Sequence, residues 1–432
     1  MDKLIEALQQ GLDNAIEQLP IMSGNIVVDQ SGKPYIEVVP GTRVKLAVKH
    51  YSSNEHKSFA HLAQNSFHPE DLDLATLLPE LLPADHQPAC WLQLNVIEGG
   101  LILAFAAHHY AVDFKSIHIF LGAIRQGSKA YYHGDPLPKL AVSLDRKPFN
   151  GHPIPEGVSK QDLLEKCPEY QVIDLKEAFS CRSNAVDMTD YQAKLYKISD
   201  AEIAELKEQC NLSDDVKYVS AFDCISAALW KSITRARVSI TPEKQSAQSS
   251  LVFTMDLRSR DPEHITSPSY FGNAVILTQT GPLDTQTLLE DETISIAASS
   301  IRQSINGVTI SSIKDFTRLI HCLALDEKLK LDVNYEDMDF LVNSWFLGKP
   351  EDYDFGAGVP EAFRPKPSPL KAASCNFLPT FRDTSKGTRE LLIQLRAKEH
   401  EMLMEDDFFT KYFKPVSYPA CDSKPLGGCE CI

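Results

Sequence analysis

The spacing of apolar residues along the chain predicts that helices and strands alternate. Residues 3–19 place an apolar side chain at every third or fourth position, which is typical of an amphipathic helix. Trp91–Ile97 and Gly100–Ala107 are two apolar runs joined by a Glu-Gly dipeptide, which indicates a β-hairpin. Helical spacing returns over residues 115–132. The second strand of the hairpin is therefore expected to lead through a short turn into a long helix, and such turns often carry functional residues.

Strands and helices are also mixed in the second half of the chain. Helical spacing is found over residues 219–237, 311–331 and 397–413, and an irregular, proline-rich connector is expected over residues 134–170. The strand-like runs of this part are residues 191–198, 250–256, 341–346, 376–381 and 391–395. A chain of 432 residues is long enough for two domains of ordinary size. The pattern therefore predicts an α/β protein in which each domain combines a sheet with helices.

Composition and charge narrow the range of functions. Hydrophobic residues make up 43% of the chain and charged residues 24%, as in a water-soluble globular protein. No run approaches the ~20 apolar residues of a membrane span, and the first residues lack the apolar segment of a secretory signal. We therefore expect a cytoplasmic protein with no membrane partner. The net charge of −16 disfavours nucleic acid as a partner, and an anionic substrate would need a local positive site against this overall charge.

The ten cysteines predict neither disulfides nor a metal site. Most are scattered singly, and free thiols are expected in a reducing compartment. Cys429 and Cys431 are separated by one residue, but the sequence has no second Cys or His pair at the spacing that zinc requires. We therefore expect no metal, and we expect residues 416–432 to form a flexible tail.

The most informative chemical feature is the cluster of His108, His109 and Asp113, which follows the second strand of the hairpin directly. An imidazole has an ordinary pKa of about 6.5, so a histidine presented at the end of a strand is well suited to act as a general base. A carboxylate four residues after His109 can fix the turn and the orientation of the ring. Taken alone, the cluster also fits a histidine pair without a catalytic role, so the rest of the chain must decide.

Further motifs identify a family resemblance. His109 to Asp113 reads H-Y-A-V-D, and Asp354 to Gly358 reads D-F-G-A-G. Shorter matches between the two are the segments Ser220–Lys231, Asp256–Arg260, Tyr270–Asn273 and Ser344–Trp345. In this order the motifs resemble the BAHD acyl-CoA-dependent acyltransferases, most closely the fungal branch that contains the trichothecene 3-O-acetyltransferases, over roughly residues 3–415. The chain departs from the family at Phe114, where many members have glycine, and at Ala357, which replaces the usual tryptophan.

The resemblance implies a fold and a division of the chain. The fold is a two-domain, chloramphenicol-acetyltransferase-like α/β architecture with the active-site channel between the domains. The N-terminal domain with the H-x-x-x-D motif is expected at residues 1–185, a crossover region at 186–217, and the C-terminal domain with the D-F-G-x-G motif at 218–415. The resemblance also implies that His109 is the general base, and that Asp113 supports the catalytic turn, braced against an arginine.

The second motif is expected to be structural. In the resembling family its aspartate, here Asp354, forms a salt bridge with the arginine that matches Arg258. Gly356 and Gly358 are expected in a tight turn near the CoA channel. Two further residues that could add polar contacts at the active site are Asn273 and His108.

The implied reaction is the transfer of an acyl group, by analogy acetyl, from acyl-CoA to a hydroxyl of a fungal secondary metabolite. It needs no covalent enzyme intermediate and no permanently bound cofactor, because acyl-CoA is a co-substrate, and a monomer is expected. One alternative is a condensation-type, amide-forming enzyme, since such domains share H-H-x-x-x-D. Another is a family member that binds a metabolite or catalyses another biosynthetic step, which Ala357 and the small number of residues before His109 would fit.

Overall fold

The computed structural model describes residues 1–30, 34–78, 87–147, 152–174, 190–210, 216–258, 260, 267–290, 294–346, 348–367, 372–381 and 387–416. Residues 417–432 of the expected tail, which include Cys429 and Cys431, lie outside this description. Residues 186–189 and 211–215 of the expected crossover region do as well.

Helices and strands alternate through the described residues. The strands are β1 (Asn25–Val28), β2 (Pro34–Glu37), β3 (Ala47–His50), β4 (Gln87–Pro88), β5 (Cys90–Ile97), β6 (Gly100–Ala107), β7 (Tyr170–Asp174), β8 (Tyr191–Ser199), β9 (Gln248–Ser249), β10 (Leu251–Asp256), β11 (Val275–Gln279), β12 (Leu283–Asp284), β13 (Glu327–Leu331), β14 (Phe340–Ser344), β15 (Ser374–Leu378), β16 (Thr388–Arg396) and β17 (Lys414–Pro415). The α-helices are α1 (Asp2–Gln18), α2 (Phe59–Gln64), α3 (Leu74–Leu77), α4 (Phe114–His133), α5 (Lys160–Glu165), α6 (Asp200–Glu208), α7 (Ala221–Ile240), α8 (Thr285–Glu290), α9 (Ser295–Gly307), α10 (Ile310–His321), α11 (Ala397–Glu405) and α12 (Asp407–Tyr412). The 3-10 helices are Pro20–Ser23, Pro69–Asp71, Pro242–Ser246 and Pro350–Tyr353.

A seven-stranded mixed sheet organises the C-terminal half. Its strand order is β11-β10-β14-β15-β16-β8-β17, in which β10, β14 and β15 run parallel and the other neighbours antiparallel. The N-terminal half contains two three-stranded sheets, β2-β1-β4 and β3-β5-β6, and the pairs β12-β9 and β13-β7 are separate ribbons. The expectation of an α/β fold with mixed sheets and helices is confirmed.

The predicted hairpin and long helix form as expected. Strands β5 and β6 pair antiparallel from Cys90 opposite Ala107 to Ile97 opposite Gly100. The connecting Gly99 has φ +77°, a left-handed conformation that glycine adopts without steric cost. Helix α4 begins after Asp113 and ends at Gly134, whose φ of +78° forms a left-handed C-terminal cap.

Helices α1 and α4 approach each other closely through two glycines. A Cβ atom at Gly11 would lie 2.3 Å from the carbonyl oxygen of Ile124, and one at Gly127 would lie 2.9 Å from the Cα of Gly11. Larger residues would push the helices apart. The amphipathic face of α1 therefore supports α4 along its length, and α4 begins at the predicted catalytic turn.

Each half has its own core, and an aromatic side chain from the second half is buried in the core of the first. The C-terminal core surrounds Trp230 on α7, and the N-terminal core is built on Leu12 and Phe120 of the helix pair. Phe271, from the loop before β11, is almost fully buried in the N-terminal core. Burial of a phenylalanine contributes about 1.5–3 kcal/mol. This contact holds the loop of the second half against the first half.

Three predicted elements differ from the structure. The helix expected over residues 311–331 is wrong in its second part, because residues of β13 alternate between exposed and more buried positions and pair with β7. The connector expected over residues 134–170 contains α5, whose Ser159 and Asp162 form a capping box. The last predicted helix is two helices, since the side chain of Asp406 caps α12 through the Phe408 amide.

Candidate active site

The turn after β6 is fixed by its backbone, which leaves one imidazole exposed. The His108 amide donates to the carbonyl of Ala89, beside the first residue of β5, at 2.8 Å. The His108 carbonyl in turn accepts from the Ala111 amide at 2.9 Å. Ala111 and Val112 are buried in the N-terminal core, so the turn is anchored on its inner side. His109 lies between these anchors and faces solvent.

Asp113 ends the turn, and both of its carboxylate oxygens accept hydrogen bonds. One oxygen caps α4 by accepting from the Ser116 amide at 2.9 Å. The other accepts from the Ala274 amide at 2.8 Å and lies 2.9 Å from a terminal nitrogen of Arg258. The side chains of Asp113 and Arg258 are each only 2% exposed, so this ion pair is almost completely desolvated. The structure therefore places an arginine against Asp113, and that arginine comes from the second half of the chain.

Arg258 connects several parts of the site at once. Its Nη1 donates to Asp256 at 2.9 Å, and its Nε donates to the carbonyl of Tyr270 at 2.8 Å. Its Nη2 also donates to the carbonyl of Gly272 at 2.7 Å and to Ser116 Oγ at 3.1 Å. Gly272 has φ +145°, where glycine is favoured, and its amide donates to Ser116 Oγ at 2.9 Å. Sequence reasoning missed Ser116, because an isolated serine on a helix carries no recognisable signal.

Asn273 holds the backbone of the exposed histidine. Its Nδ2 donates to the carbonyl oxygen of His109 at 2.7 Å. Both residues line a cavity of about 740 Å³, which is within the usual size range of small-molecule sites. The residues that line the cavity are Ile21, Ile26, Pro34, Tyr35, Ile36, Val38, His109, Tyr110, Leu144, Arg146, Phe271 and Asn273.

His108 occupies a different environment from its neighbour. Its Nδ1 accepts a hydrogen bond from the Tyr110 amide at 3.2 Å, and its ring lies 4.8 Å from the Tyr110 ring. Burial, together with the adjacent His109, lowers the pKa of His108. The ring is thus held neutral near pH 7, with the proton on Nε2. His108 does not line the cavity that His109 enters.

The expected salt bridge between Asp354 and Arg258 is wrong. Asp354 pairs instead with Lys129 on α4 at 2.7 Å, while Arg258 is satisfied by Asp113 and Asp256. The reason is distance along α4, because Lys129 lies about four helical turns, roughly 24 Å, from the end that Asp113 caps. Partial burial alone would raise the pKa of Asp354, but the hydrogen bonds, led by that from Lys129, hold the pKa below its usual range.

The turn that begins at Asp354 packs on the helix pair rather than on the cavity. The other carboxylate oxygen of Asp354 accepts from the amides of Gly356 and Gly358 at 2.9 and 3.0 Å. These glycines have φ +105° and +97°, so the turn requires them. A Cβ at Gly356 would lie 3.7 Å from Leu4 on α1. Neither glycine lines the cavity that contains His109.

Phe114, the unusual residue after Asp113, forms an aromatic contact between the halves. Its ring stacks on Trp345, just after β14, with centroids 4.9 Å apart and an interplanar angle of 19°. Phe363 contacts both rings edge-on, and Tyr353 continues the cluster towards the second motif. The Tyr353 hydroxyl lies 3.2 Å from Nδ1 of His118 on α4. The N-terminal end of α4 is therefore packed against the segment that leads into the Asp354 turn.

The structure thus groups the predicted residues into two sites. His109, Asp113, Arg258 and Asn273 come together at the turn before α4, whereas Asp354 and its two glycines fasten the far part of that helix. Within the described part of the chain, no cluster of three or more His, Cys, Asp or Glu side chains could hold a metal ion. No helix among those residues is both long enough and apolar enough to cross a membrane.

Comparisons with known proteins agree with this arrangement. A family model described as the Transferase family matches residues 2–409. A trichothecene 3-O-acetyltransferase from Saccharomyces cerevisiae is 24% identical over 438 residues, which cover 95% of this chain and 88% of that protein. An enoyl-CoA isomerase/hydratase from Penicillium crustosum is 25% identical over 439 residues. The match covers 95% of this chain but only 47% of the Penicillium protein, so the chain spans about half of that relative.

The fold matches a solved acetyltransferase structure. The crystal structure of F. graminearum TRI101 complexed with coenzyme A and T-2 mycotoxin superimposes with a TM-score of 0.78 at 21% sequence identity. The superposition covers 96% of this chain and 92% of TRI101. At this level of identity the match establishes the shared fold.

Proposed function

Because the chain belongs to the BAHD transferase family, we propose that it transfers an acyl group from acyl-CoA to a hydroxyl of a small molecule, with His109 as the general base. The observation that carries this proposal is the position of His109. His109 lines a cavity of ligand size and lies on a turn that a desolvated ion pair, a helix cap and a side-chain amide hold in place. A general base needs such placement, because proton transfer requires hydrogen-bond contact with the acceptor.

The reaction follows from the chemistry of a thioester. The acceptor hydroxyl donates a hydrogen bond to the neutral imidazole of His109, and its oxygen attacks the thioester carbonyl while the imidazole takes the proton. The tetrahedral oxyanion then collapses and the C–S bond breaks. The leaving CoA thiolate takes the proton from the imidazolium of His109. The products are an ester and CoA thiol, and the imidazole returns to its neutral state.

The other site residues have supporting roles in this proposal. Asp113 holds the turn and does not relay protons, because both its oxygens already accept from Arg258, Ser116 and Ala274. Asn273 sets the position of the His109 backbone. His108 stays neutral and so adds no positive charge beside the base.

The donor and the setting are proposed by analogy. Acetyl-CoA is the proposed donor, since a relative is described as a 3-O-acetyltransferase and TRI101 was solved with coenzyme A. A hydroxylated secondary metabolite is the proposed acceptor, supported by the trichothecene specificity in the name of that relative. We also propose that the protein acts as a cytoplasmic monomer.

The test is direct acyl transfer by the purified chain. The protein is mixed with acetyl-CoA and a panel of hydroxylated fungal metabolites, and both CoA thiol release and the acetylated product are measured. We expect product with at least one alcohol, and no acetyl adduct on the enzyme by intact mass when the acceptor is omitted. Absence of transfer with every alcohol, together with failure to bind CoA by calorimetry, would contradict the proposal. An acetylated enzyme would contradict the direct mechanism.

A further inference from the structure

The cavity beside His109 carries an unusual combination of charge and apolar surface. Among the described residues that line it, most are aliphatic or aromatic and none is acidic. Within that same set, Arg146 is the one basic residue besides His109. A cation at the edge of a largely apolar cavity favours a ligand that carries a negative charge together with apolar surface.

Arg146 is held at the cavity by its backbone rather than by an ion pair. The segment before it pairs with the second half of the chain, since the Ser143 amide donates to Ser269 at 3.0 Å and the Phe271 amide donates to Ser143 at 2.8 Å. Ser143 also forms a parallel bridge with Tyr270. Arg146 therefore lies on a segment that pairs with the loop that buries Phe271 and presents Asn273 to His109.

The guanidinium has no acidic partner among the described residues. The ion pairs found in that part of the chain do not include Arg146. The adjacent carboxylate, Asp145, accepts instead from the backbone amide of Lys147 at 3.0 Å. Burial raises the pKa of the Tyr270 phenol, and the positive charge of Arg146 opposes that rise, which agrees with a guanidinium close to the Tyr270 ring.

We propose that the acceptor is an apolar hydroxy acid, whose carboxylate is bound by Arg146 while its hydroxyl reaches His109. This proposal rests on the proposed acyltransferase function and names the class of its acceptor. Arginine presents paired N–H donors that match a carboxylate. The aliphatic and aromatic lining takes the apolar scaffold between the two polar ends.

The overall charge of the protein makes such a local cation necessary. A net charge of −16 repels an anionic acceptor at long range. At physiological salt this repulsion is screened beyond about 8 Å, so a guanidinium inside the cavity dominates once the ligand has entered. Arg146 is exposed, so we expect a modest gain, about three- to tenfold in affinity for the acid over its neutral ester.

The test compares acids with their own methyl esters. The probes are ω-hydroxydodecanoic acid, a hydroxymethyl-naphthoic acid and a hydroxylated steroid carboxylic acid, each paired with its ester. Equilibrium dialysis without acyl-CoA measures binding, and a separate acetyl-CoA assay measures transfer. We expect at least one acid to bind about three- to tenfold more tightly than its ester. In Arg146→Gln this ratio should fall to about one, and Arg146→Lys should restore part of it.

Lys147→Gln is the matched control, because it removes one positive charge from the same segment without altering the cavity lining. It should leave the acid-to-ester ratio unchanged. The proposal is overturned if no acid binds, if acids and esters bind equally, or if the preference survives in Arg146→Gln. It is also overturned if Arg146→Gln weakens only CoA binding, which would assign the guanidinium to a CoA phosphate. Acid-selective binding in a protein that neither transfers acetyl groups nor binds CoA would instead support the Arg146 site and refute the proposed acyltransferase function.

Discussion

The buried pair of Asp113 and Arg258 predicts a large and specific effect of Asp113→Asn. Asparagine can still cap α4 with its remaining oxygen, so the substitution mainly removes the more buried of the two carboxylates that pair with Arg258. The side chains of Asp113 and Arg258 are each 2% exposed, and removing one partner of such a buried ion pair costs about 3–5 kcal/mol. The Ala274 amide also loses a charged acceptor. We therefore predict that the free energy of unfolding falls by about 3–5 kcal/mol.

A loss of activity should accompany this loss of stability. Without the brace, the turn that carries His109 samples other positions, and we predict that kcat falls by at least about tenfold, because small misplacements of a catalytic group are costly. Denaturant unfolding measures the stability, and acetyl transfer at saturating substrate measures kcat. Replacing Arg258 by Met should cost less in the Asp113→Asn background than in the unsubstituted protein, since one of the two carboxylate partners of Arg258 is already absent there.

Glu399→Gln is the matched control for Asp113→Asn. Glu399 is also a buried carboxylate at a helix start, where it accepts from the Arg396 amide at 2.9 Å and pairs with Arg237 at 2.8 Å. It lies in the C-terminal half, outside the cavity lining. We expect a similar loss of stability but little change in kcat. Equal kcat values for the two variants would refute the idea that Asp113 positions the catalytic turn, and a destabilisation below about 1 kcal/mol would refute the energetic argument.

Three further predictions concern the interface between the halves and the C-terminal core. Lys129→Gln should lower the free energy of unfolding by about 1 kcal/mol, because its partly exposed ion pair with Asp354 is lost. Calorimetry at low and high salt measures the difference in stability between the variant and the unsubstituted protein. A difference that does not shrink at high salt would contradict this prediction. Trp345→Ala should cost about 2 kcal/mol by removing the stack on Phe114, whereas Trp345→Phe should restore most of it in the same assay. Burial lowers the pKa of His400 to about 4. The unfolded state therefore binds the proton first on acidification, and about 3 kcal/mol of stability should be lost between pH 6.5 and 4. In His400→Gln, the free energy of unfolding measured across this pH range should fall less steeply as the pH is lowered. An unchanged dependence of stability on pH would contradict the prediction.

The sequence predicted the hairpin, the turn that carries His109 and the helix after it because these features are local. Alternating and helical spacing specify β6 and α4, and the identities of His109 and Asp113 are legible as a motif. The fold class followed from the mixture of elements. Local patterns failed over residues 311–331, where an alternating pentapeptide after a helix continued the apolar spacing but formed a strand.

The contacts that complete the site are not local, so the sequence alone could not supply them. The partner of Asp113 lies 145 residues away along the chain, and the partner of Asp354 lies 225 residues away. Both aspartates were expected to be structural, and an arginine was expected for each. The error in assigning Arg258 to Asp354 arose because pairing of this kind depends on which end of α4 each loop reaches. The stack between Phe114 and Trp345 gives a physical role to a residue that looked only like a departure from the family.

If His109 accepts the proton of the acceptor hydroxyl, His109→Ala should remove most of the acyl transfer. The measurement is kcat for acetyl transfer, with CoA binding determined separately by calorimetry. His133→Gln, which removes an exposed imidazole at the far end of α4, is the control. We predict that His109→Ala lowers kcat by about 10²–10⁴-fold with unchanged CoA affinity, whereas His133→Gln retains activity. Transfer by His109→Ala within about tenfold of the unsubstituted protein would show that His109 is not the general base.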